Sequence, residues 1–168
     1  MSLEAVVTEP AQQRIVVGVK RSAASLAALR WAAAEARLRH AILHVVHAWE
    51  PAARRASYAI LGDNPVGGQE RLRAKDNLAA IMRAAFGTEV PAGITAEVAE
   101  GMAERVLAQC SRDAGLLVLG ATADAEMTGR PAGPVIRACM RSARCPLVII
   151  TAAAGALPPV VNAPVAVS

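Results

Sequence analysis

Aromatic residues are nearly absent from this chain of 168 residues: Trp31, Trp49, Tyr58 and Phe86 together give an aromatic fraction of 2%. Four rings spread along the sequence do not make the stacking platform on which single-stranded nucleic acids bind, so we expect no such platform. The hydrophobic fraction of 54% is therefore carried by Ala, Val, Leu and Ile. This composition predicts a folded globule, and the length predicts a single domain.

Long apolar runs are missing as well. No stretch of about 18 uninterrupted apolar residues occurs, which argues against a membrane-spanning helix. The first ten residues, MSLEAVVTEP, contain neither a basic segment nor a long apolar stretch. We therefore expect no secretory signal and a cytoplasmic protein.

Metal-ligating patterns are scarce. The cysteines are odd in number and lack CxxC or Cys/His ligand spacing, so we expect reduced, largely buried thiols and neither a disulfide framework nor a metal site. His44 and His47 lie three residues apart in a predicted strand and should point to opposite faces of the sheet, which argues against a shared ion. The residues considered are Cys110, Cys139, Cys145, His40, His44 and His47.

Basic residues outnumber acidic ones by 18 to 14, which gives a net charge of +4. This balance permits an anionic partner. The arginines are nevertheless spread along the chain, with Lys20 and Lys75 as the two lysines, and no nucleic-acid reader motif accompanies them. We interpret the arginines as solvated helix surface and expect neither a nucleic-acid nor a membrane partner.

Short β-branched runs alternate with helical patterns along the chain, and turn residues separate them. Ser22 or Ser25 should cap the first helix, which ends at residue 39, and Leu72 should face inward from the second helix. The predicted strands are 14–19, 41–49, 94–101, 115–120 and 147–151, and the further predicted helices are 69–86, 102–114 and 135–142. Long loops are expected at 50–68 and 121–133.

This alternation predicts an α/β protein in which a parallel sheet is covered by helices on both faces through right-handed crossovers. In such sheets ligands bind beyond the carboxyl ends of the strands, where the strand order reverses. The candidate segments are VKRS at 19–22 and GATADAEMTGRPAG at 120–133.

Three segments carry a resemblance to a known family. The run RIVVGVKRSAASLAALRWAAAEARLRHAILHVVHAW, with GLLVLG and CPLVII further on, resembles the universal stress protein family over residues 13–151. The resemblance implies a Rossmann-like three-layer sandwich whose five parallel strands have the order 3-2-1-4-5. It also implies a homodimer, here through the exposed edge strand 147–151. The domain is then 13–151, between a flexible segment 1–12 and an Ala/Pro/Val-rich tail 152–168.

The family contains ATP-binding and non-ATP-binding members. ATP-binding members carry an Asp after the first strand, near the adenosine, and a loop of the form G-x2-G-x9-G-[ST] around the phosphates. Here Lys20 stands at the Asp position, and the loop positions are Gly120, Ala123, Gly133 and Pro134. The resemblance therefore implies a degenerate nucleotide site.

These substitutions weaken a phosphate cradle on physical grounds. Pro134 offers neither an N–H nor a hydroxyl, and Ala123 adds a methyl group where close backbone approach favours glycine. Asp124 and Glu126 would repel a polyphosphate, whereas Arg130 could still reach one.

Val19, Val45 and Val135 stand where the family lines its nucleotide pocket, although aliphatic residues there are equally expected in a core. Two functions remain open. The first is a non-catalytic stress-response module that acts through dimerisation and binding of a ligand or a regulatory protein, with no cofactor required. The second is an ATP-binding protein with slow ATPase or phosphotransfer activity. No catalytic residue is predicted, and ATP remains a possible ligand.

Overall fold

A computed structural model describes residues 13–52, 66–122 and 133–152 of this chain. The predicted segment 1–12, most of the predicted tail and much of both predicted loops lie outside the described residues.

The described residues alternate strands and helices, as predicted. The order is β1 Arg14–Gly18, α1 Ala23–Leu38, β2 Ile42–Trp49, α2 Val66–Phe86, β3 Ile94–Glu100, α3 Ala103–Cys110, a 3-10 turn Ser111–Asp113, β4 Leu116–Thr122, α4 Pro134–Ser142 and β5 Leu147–Ala152. The strands pair in parallel in the order β3-β2-β1-β4-β5, which confirms the predicted topology. No helix among these residues is long and apolar enough to cross a membrane.

Helix α1 has well-defined ends. The Ser22 side chain accepts a hydrogen bond from the backbone N–H of Ser25 at 3.1 Å, so Ser22 is the N-cap of the two candidates. At the other end His40 adopts a φ of 52°, and the N–H of Ala41 donates to the carbonyl of Ala36 at 2.8 Å. This left-handed residue and its 6→1 hydrogen bond form a Schellman C-cap, which turns the chain into β2.

The two faces of the sheet carry separate cores because successive side chains along a strand point to opposite sides. One face packs against α1 and α2, and its fully buried residues include Ile15, Val17 and Val45. The other face packs against α3 and α4, and it includes Val16 and Val46. Helices thus cover the sheet on both sides.

Two helix details differ from the predictions. The predicted helix 102–114 ends early, at Cys110, and continues as a 3-10 turn in which the Ser111 hydroxyl donates to the carbonyl of Ala108 at 2.7 Å. Leu72 is 60% exposed, so its predicted inward orientation is wrong. The buried stripe of α2 contains Ala74 and Leu78, and Leu72 lies about 200° around the helix from Ala74.

Candidate ligand-binding site

A cavity of about 110 Å³ opens at the carboxyl ends of β1 and β4. The connection from β1 leads to β2 on one side, and β4 lies on the other side, so this is the point where the strand order reverses. Helices α1, α3 and α4 complete its walls. The lining residues are Gly18, Val19, Lys20, Ser25, Val46, Ala48, Ala103, Leu107, Leu119, Gly120, Val135 and Ile136.

Four of the predicted site residues line this cavity, namely Val19, Lys20, Gly120 and Val135. The structure brings them together from the end of β1, from β4 and from the first turn of α4. Because these positions are far apart in sequence, their convergence follows from the parallel pairing of β1 with β4.

Val45 was predicted to line the pocket but does not line this cavity. Its side chain is fully buried on the sheet face that packs against α1 and α2, whereas the neighbouring Val46 points to the opposite face and does line the cavity. Successive side chains along a strand point to opposite faces of the sheet, so these two adjacent residues lie on different sides. Val46 therefore forms this part of the cavity wall, and a role of Val45 in ligand binding stays a prediction.

The remaining predicted residues lie around the start of α4 or outside the described part of the chain. Gly133 is the N-cap of α4 and Pro134 is its first residue, and neither forms part of the cavity lining. The N-cap makes no side-chain hydrogen bond. Ala123 and Arg130 lie outside the described residues, as do the loop acids Asp124 and Glu126.

The turn after β1 is held by hydrogen bonds that position Lys20 at the rim. The N–H of Lys20 donates to the hydroxyl of Ser25 at 3.1 Å, and the N–H of Val19 donates to the carbonyl of Val46 at 2.9 Å. Ser25, 2% exposed, thus ties the rim to α1. The lysine side chain itself is exposed to solvent.

His47 is a supporting residue that the sequence analysis did not identify. Its Nδ1–H donates to the carbonyl of Val19 at 2.9 Å, so the imidazole of β2 braces the end of β1 next to the cavity. His44 faces the other side of the sheet and contacts Glu97 Oε2 at 2.9 Å through Nε2. The two histidines therefore point to opposite faces of the sheet, as predicted. The position of His47 near the end of a predicted strand was the one feature of the sequence that could have indicated its contact with β1.

Gly120 is required by the close approach of α1 to β4. A Cβ atom on Gly120 would lie 2.2 Å from the carbonyl oxygen of Ala24 and 2.7 Å from the backbone nitrogen of Ser25. Backbone atoms cannot rotate away as a side chain can, so only glycine fits at this position. This contact places the beginning of α1 directly over the cavity wall.

The chemistry of the cavity is apolar with one cationic group at its rim. Among the described lining residues, Lys20 is the one ionisable side chain, and none carries a carboxylate. No group of three or more His, Cys, Asp or Glu residues in the described ranges could hold a metal ion. The arrangement suits an apolar or planar group buried in the cavity with a polar or anionic group near Lys20.

A doubly wound parallel sheet with helices on both faces and a cavity at its switch point defines a three-layer α/β sandwich. Within that class the chain belongs to the universal stress protein family, whose family profile matches residues 12–151.

Comparisons with individual proteins agree with this assignment. A universal stress protein of Mycobacterium tuberculosis strain H37Rv is 32% identical over 156 residues, which cover 91% of this chain and 52% of that protein. The chain thus spans about half the length of the curated relatives it matches.

Solved structures share the fold. Universal stress protein UspA from Lactobacillus plantarum has a TM-score of 0.64 at 22% identity and covers 83% of this chain and 99% of its own. The universal stress protein from Archaeoglobus fulgidus in complex with dAMP has a TM-score of 0.58 at 23% identity, with coverage of 82% and 97%. A universal stress protein family member from Arabidopsis thaliana with AMP bound has a TM-score of 0.56 at 16% identity, with coverage of 87% and 95%.

Proposed function

We propose that this chain is a non-catalytic, cytoplasmic ligand-binding module that acts in the stress response, and that its switch-point cavity binds Mg-ATP weakly or not at all. Members of this family are mostly not enzymes in the usual sense. The observation that carries the proposal is Lys20, the one ionisable side chain among the described lining residues.

Lys20 changes what the adenosine end of the cavity can recognise. A lysine ammonium group donates hydrogen bonds and accepts none, whereas a carboxylate at this position would accept hydrogen bonds from sugar hydroxyls. The replacement therefore removes an acceptor and adds a positive charge at the rim. A ligand with an anionic group close to its apolar part fits this rim better than an uncharged nucleoside does.

The start of α4 is a poor cradle for a phosphate chain. A helix N-terminus binds anions through free N–H groups and the positive end of the helix dipole. Pro134 removes the first of these donors, and the N-cap Gly133 has no hydroxyl to add. The N–H groups of Val135 and Ile136 remain, which is a smaller donor set than a Ser or Thr at position 134 would give.

The alternative function is an ATP-binding protein with slow ATPase or phosphotransfer activity. Two proteins of this fold have been solved with dAMP and with AMP bound, and a third has been solved in complex with cAMP. Adenine nucleotides are therefore the ligands to test first at this cavity. Apart from Lys20, the described residues that line the cavity include no ionisable side chain. They therefore supply neither a metal-binding carboxylate nor a general base, which favours the non-catalytic proposal.

Titration calorimetry separates these functions. We expect no binding of Mg-ATP at tens of micromolar, and hydrolysis no faster than background. The triple variant Lys20→Asp, Ala123→Gly and Pro134→Ser should bind Mg-ATP at least tenfold more tightly, because each hydrogen bond regained to a charged phosphate contributes about 1.5 to 3 kcal/mol.

The matched control is Lys75→Asp, an exposed lysine of α2 that undergoes the same change of charge away from the cavity. This control should leave the titration unchanged. Tight Mg-ATP binding by the unaltered protein would overturn the proposal in favour of the alternative. Lys20 and Arg130 would then be the first residues to test for phosphate contacts.

We also propose that the module acts as a homodimer through β5, with a regulatory protein as a further partner. Strand β5 lies at one edge of the sheet and pairs with β4 on one side. No other described strand pairs with its open side, and an edge that presents backbone N–H and C=O groups beside apolar side chains favours pairing with a second copy.

A further inference from the structure

Four arginines converge on a groove that is separate from the cavity. The groove, of about 600 Å³, lies between α3 with its 3-10 turn and the chain leaving α4, and it shares no lining residue with the cavity. Arg105 and Arg112 come from the first side, and Arg141 and Arg144 come from the second. Of the described residues that line it, none carries a carboxylate.

These arginines are available to a ligand. All four are exposed to solvent, and none forms a salt bridge with a described residue. Four guanidinium groups around one groove repel one another, so their convergence is unfavourable in the absence of an anion.

A buried hydroxyl fixes the two walls of the groove relative to each other. Ser111 is fully buried, and its hydroxyl donates to the carbonyl of Ala108 at 2.7 Å. The same oxygen accepts the backbone N–H of Arg144 at 2.9 Å. These two hydrogen bonds link the backbone of one wall of the groove to the backbone of the other in the absence of a ligand. This linkage reduces the conformational entropy lost on binding.

Stabilisation of helix ends does not explain the cluster. Arg141 and Arg112 lie near helix C-termini, where a cation interacts favourably with the helix dipole. Arg105 lies in the first turn of α3, where the dipole disfavours a cation. Arg105 also borders a neighbouring groove lined by Glu50, Glu97 and Glu100, whose carboxylates favour a cation there, so Arg105 lies between an acidic surface and the arginine groove.

We propose that this groove binds an oligophosphate, a chain of closely spaced phosphate groups. The planar guanidinium group forms paired hydrogen bonds with phosphate oxygens, which lysine cannot do. An acidic protein segment fits less well, because the described lining offers no apolar or aromatic side chain larger than alanine against which a protein segment could bury apolar surface. A nucleic acid fits less well too, because no aromatic side chain is among these lining residues for bases to stack on.

Calorimetry with sodium tripolyphosphate, without magnesium and at about 50 mM salt, tests the proposal. We expect binding at tens of micromolar that weakens at least tenfold in the double variant Arg112→Gln and Arg141→Gln. The matched control, Arg71→Gln and Arg73→Gln, removes the same charge from the exposed face of α2 and should retain the wild-type affinity. In amide NMR spectra the signals of Gln109, Ser142 and Ala143 should shift, and those of Val19 and Val135 in the cavity should not.

Three results would overturn the proposal: no binding at millimolar tripolyphosphate, equal losses in the two double variants, or shifts confined to the cavity. Displacement of tripolyphosphate by a thymidine oligonucleotide at a lower concentration of phosphate groups would instead assign the groove to a nucleic-acid backbone. With magnesium-free ATP, shifts of the groove signals without shifts of Val19 and Val135 would support the proposal and identify a nucleotide tail as one source of the oligophosphate, and they would leave the proposal for the cavity unaffected.

Discussion

At the scale of a single residue, Gly120 contributes both to the packing of a helix on the sheet and to the wall of the cavity. It lies at the carboxyl end of β4, where the backbone of α1 approaches so closely that a Cβ atom would meet the Ala24 carbonyl carbon at 2.4 Å. The same glycine lines the cavity. Its small size therefore serves packing as well as the shape of the site.

Gly120→Ala should destabilise the protein strongly. Overpacking costs about 1 to 3 kcal/mol, and a clash with backbone atoms belongs at the upper end of that range. At about 2 to 4 °C per kcal/mol for a domain of this size, the melting temperature should fall by about 6 to 12 °C. Thermal unfolding followed by circular dichroism measures the change.

The control is Gly68→Ala in the first turns of α2, where an added Cβ atom meets nothing within 4 Å. Alanine there should stabilise the helix by about 0.5 to 1 kcal/mol. A melting temperature for Gly120→Ala equal to that of the wild type would contradict the close contact.

The cysteine thiols are a second feature at this scale. Burial raises the pKa of Cys110, Cys139 and Cys145 above the ordinary value of 9.0. For Cys110, Glu97 raises the pKa further and Arg14 partly offsets this, and for Cys139, Glu104 adds to the effect of burial. The thiolate is the reactive form, so these thiols are poor nucleophiles in the folded protein.

The raised pKa of the Cys139 thiol predicts a loss of stability in alkali. Below about pH 9 the thiol is protonated in both states, so its contribution is fully present. As the pH rises towards the higher folded value, the unfolded chain releases its proton first, and folding loses this contribution. Urea unfolding at pH 8 and pH 10 should therefore show a smaller loss for Cys139→Ala than for the wild type.

The same property predicts slow thiol chemistry. In the folded protein at pH 8, a disulfide reagent such as dithionitrobenzoate should react with Cys139 more slowly than with the partly exposed Cys110 and Cys145. All three should react quickly in denaturant. Rapid reaction of all three in the folded state would count against their burial.

At the scale of an element, α1 is defined by its small-residue face. Ala24, Ala28, Ala32 and Ala36 recur every four residues and are 0 to 5% exposed. This spacing places them along one side of the helix, and their small size lets the helix backbone lie close to the sheet. The close contact at Gly120 is the end of the same packing surface.

Ala32→Leu should therefore overpack this surface. Ala32 is 0% exposed, and the added side chain should lower the free energy of unfolding by about 1 to 3 kcal/mol. Ala34→Leu introduces the same side chain at an exposed position of the same helix and should change stability by less than about 0.5 kcal/mol. Urea unfolding of both variants tests the assignment, and equal effects would contradict it.

Strand β5 shows which backbone groups face the open edge. The N–H of Leu117 donates to the carbonyl of Pro146, and β5 pairs in parallel with β4. In a parallel ladder alternate residues point their N–H and C=O groups to the same neighbour, so Val148 and Ile150 bond to β4. The N–H and C=O of Ile149 therefore face the open side of the sheet.

At the scale of the whole molecule, this edge predicts the oligomeric state. Light scattering at micromolar concentration should give the mass of a dimer. Ile149→Pro should shift the mass to that of a monomer, because proline removes an outward N–H while leaving the bonds from β5 to β4 in place.

Ile149→Val is the matched control, since it keeps the N–H and the apolar edge, and it should remain dimeric. A monomer mass for the unaltered protein would refute the dimer. A dimer unaffected by proline at position 149 would place the interface elsewhere.

The fold followed from the sequence because its signals are local. Each β-branched run, each helical period and Ser22 as a cap candidate act within a few residues, and the alternation of strands and helices leaves few topologies open. The boundaries were less accurate where a side chain competes with the helix, as the hydroxyl of Ser111 does after α3. Leu72 was misassigned because a leucine in a helical pattern does not reveal which side of the helix meets the sheet.

The sequence by itself thus determined the α/β class, the strand order through its family resemblance, and the substitution of Lys20 and Pro134 in the nucleotide motif. Only the tertiary structure decided that Val46 rather than Val45 faces the cavity, because both faces of β2 are buried and alternation alone does not label them. It also decided that Arg105 and Arg112 meet Arg141 and Arg144 in one groove. These facts depend on how helices pack across the sheet, and such long-range contacts leave no periodic trace in the chain.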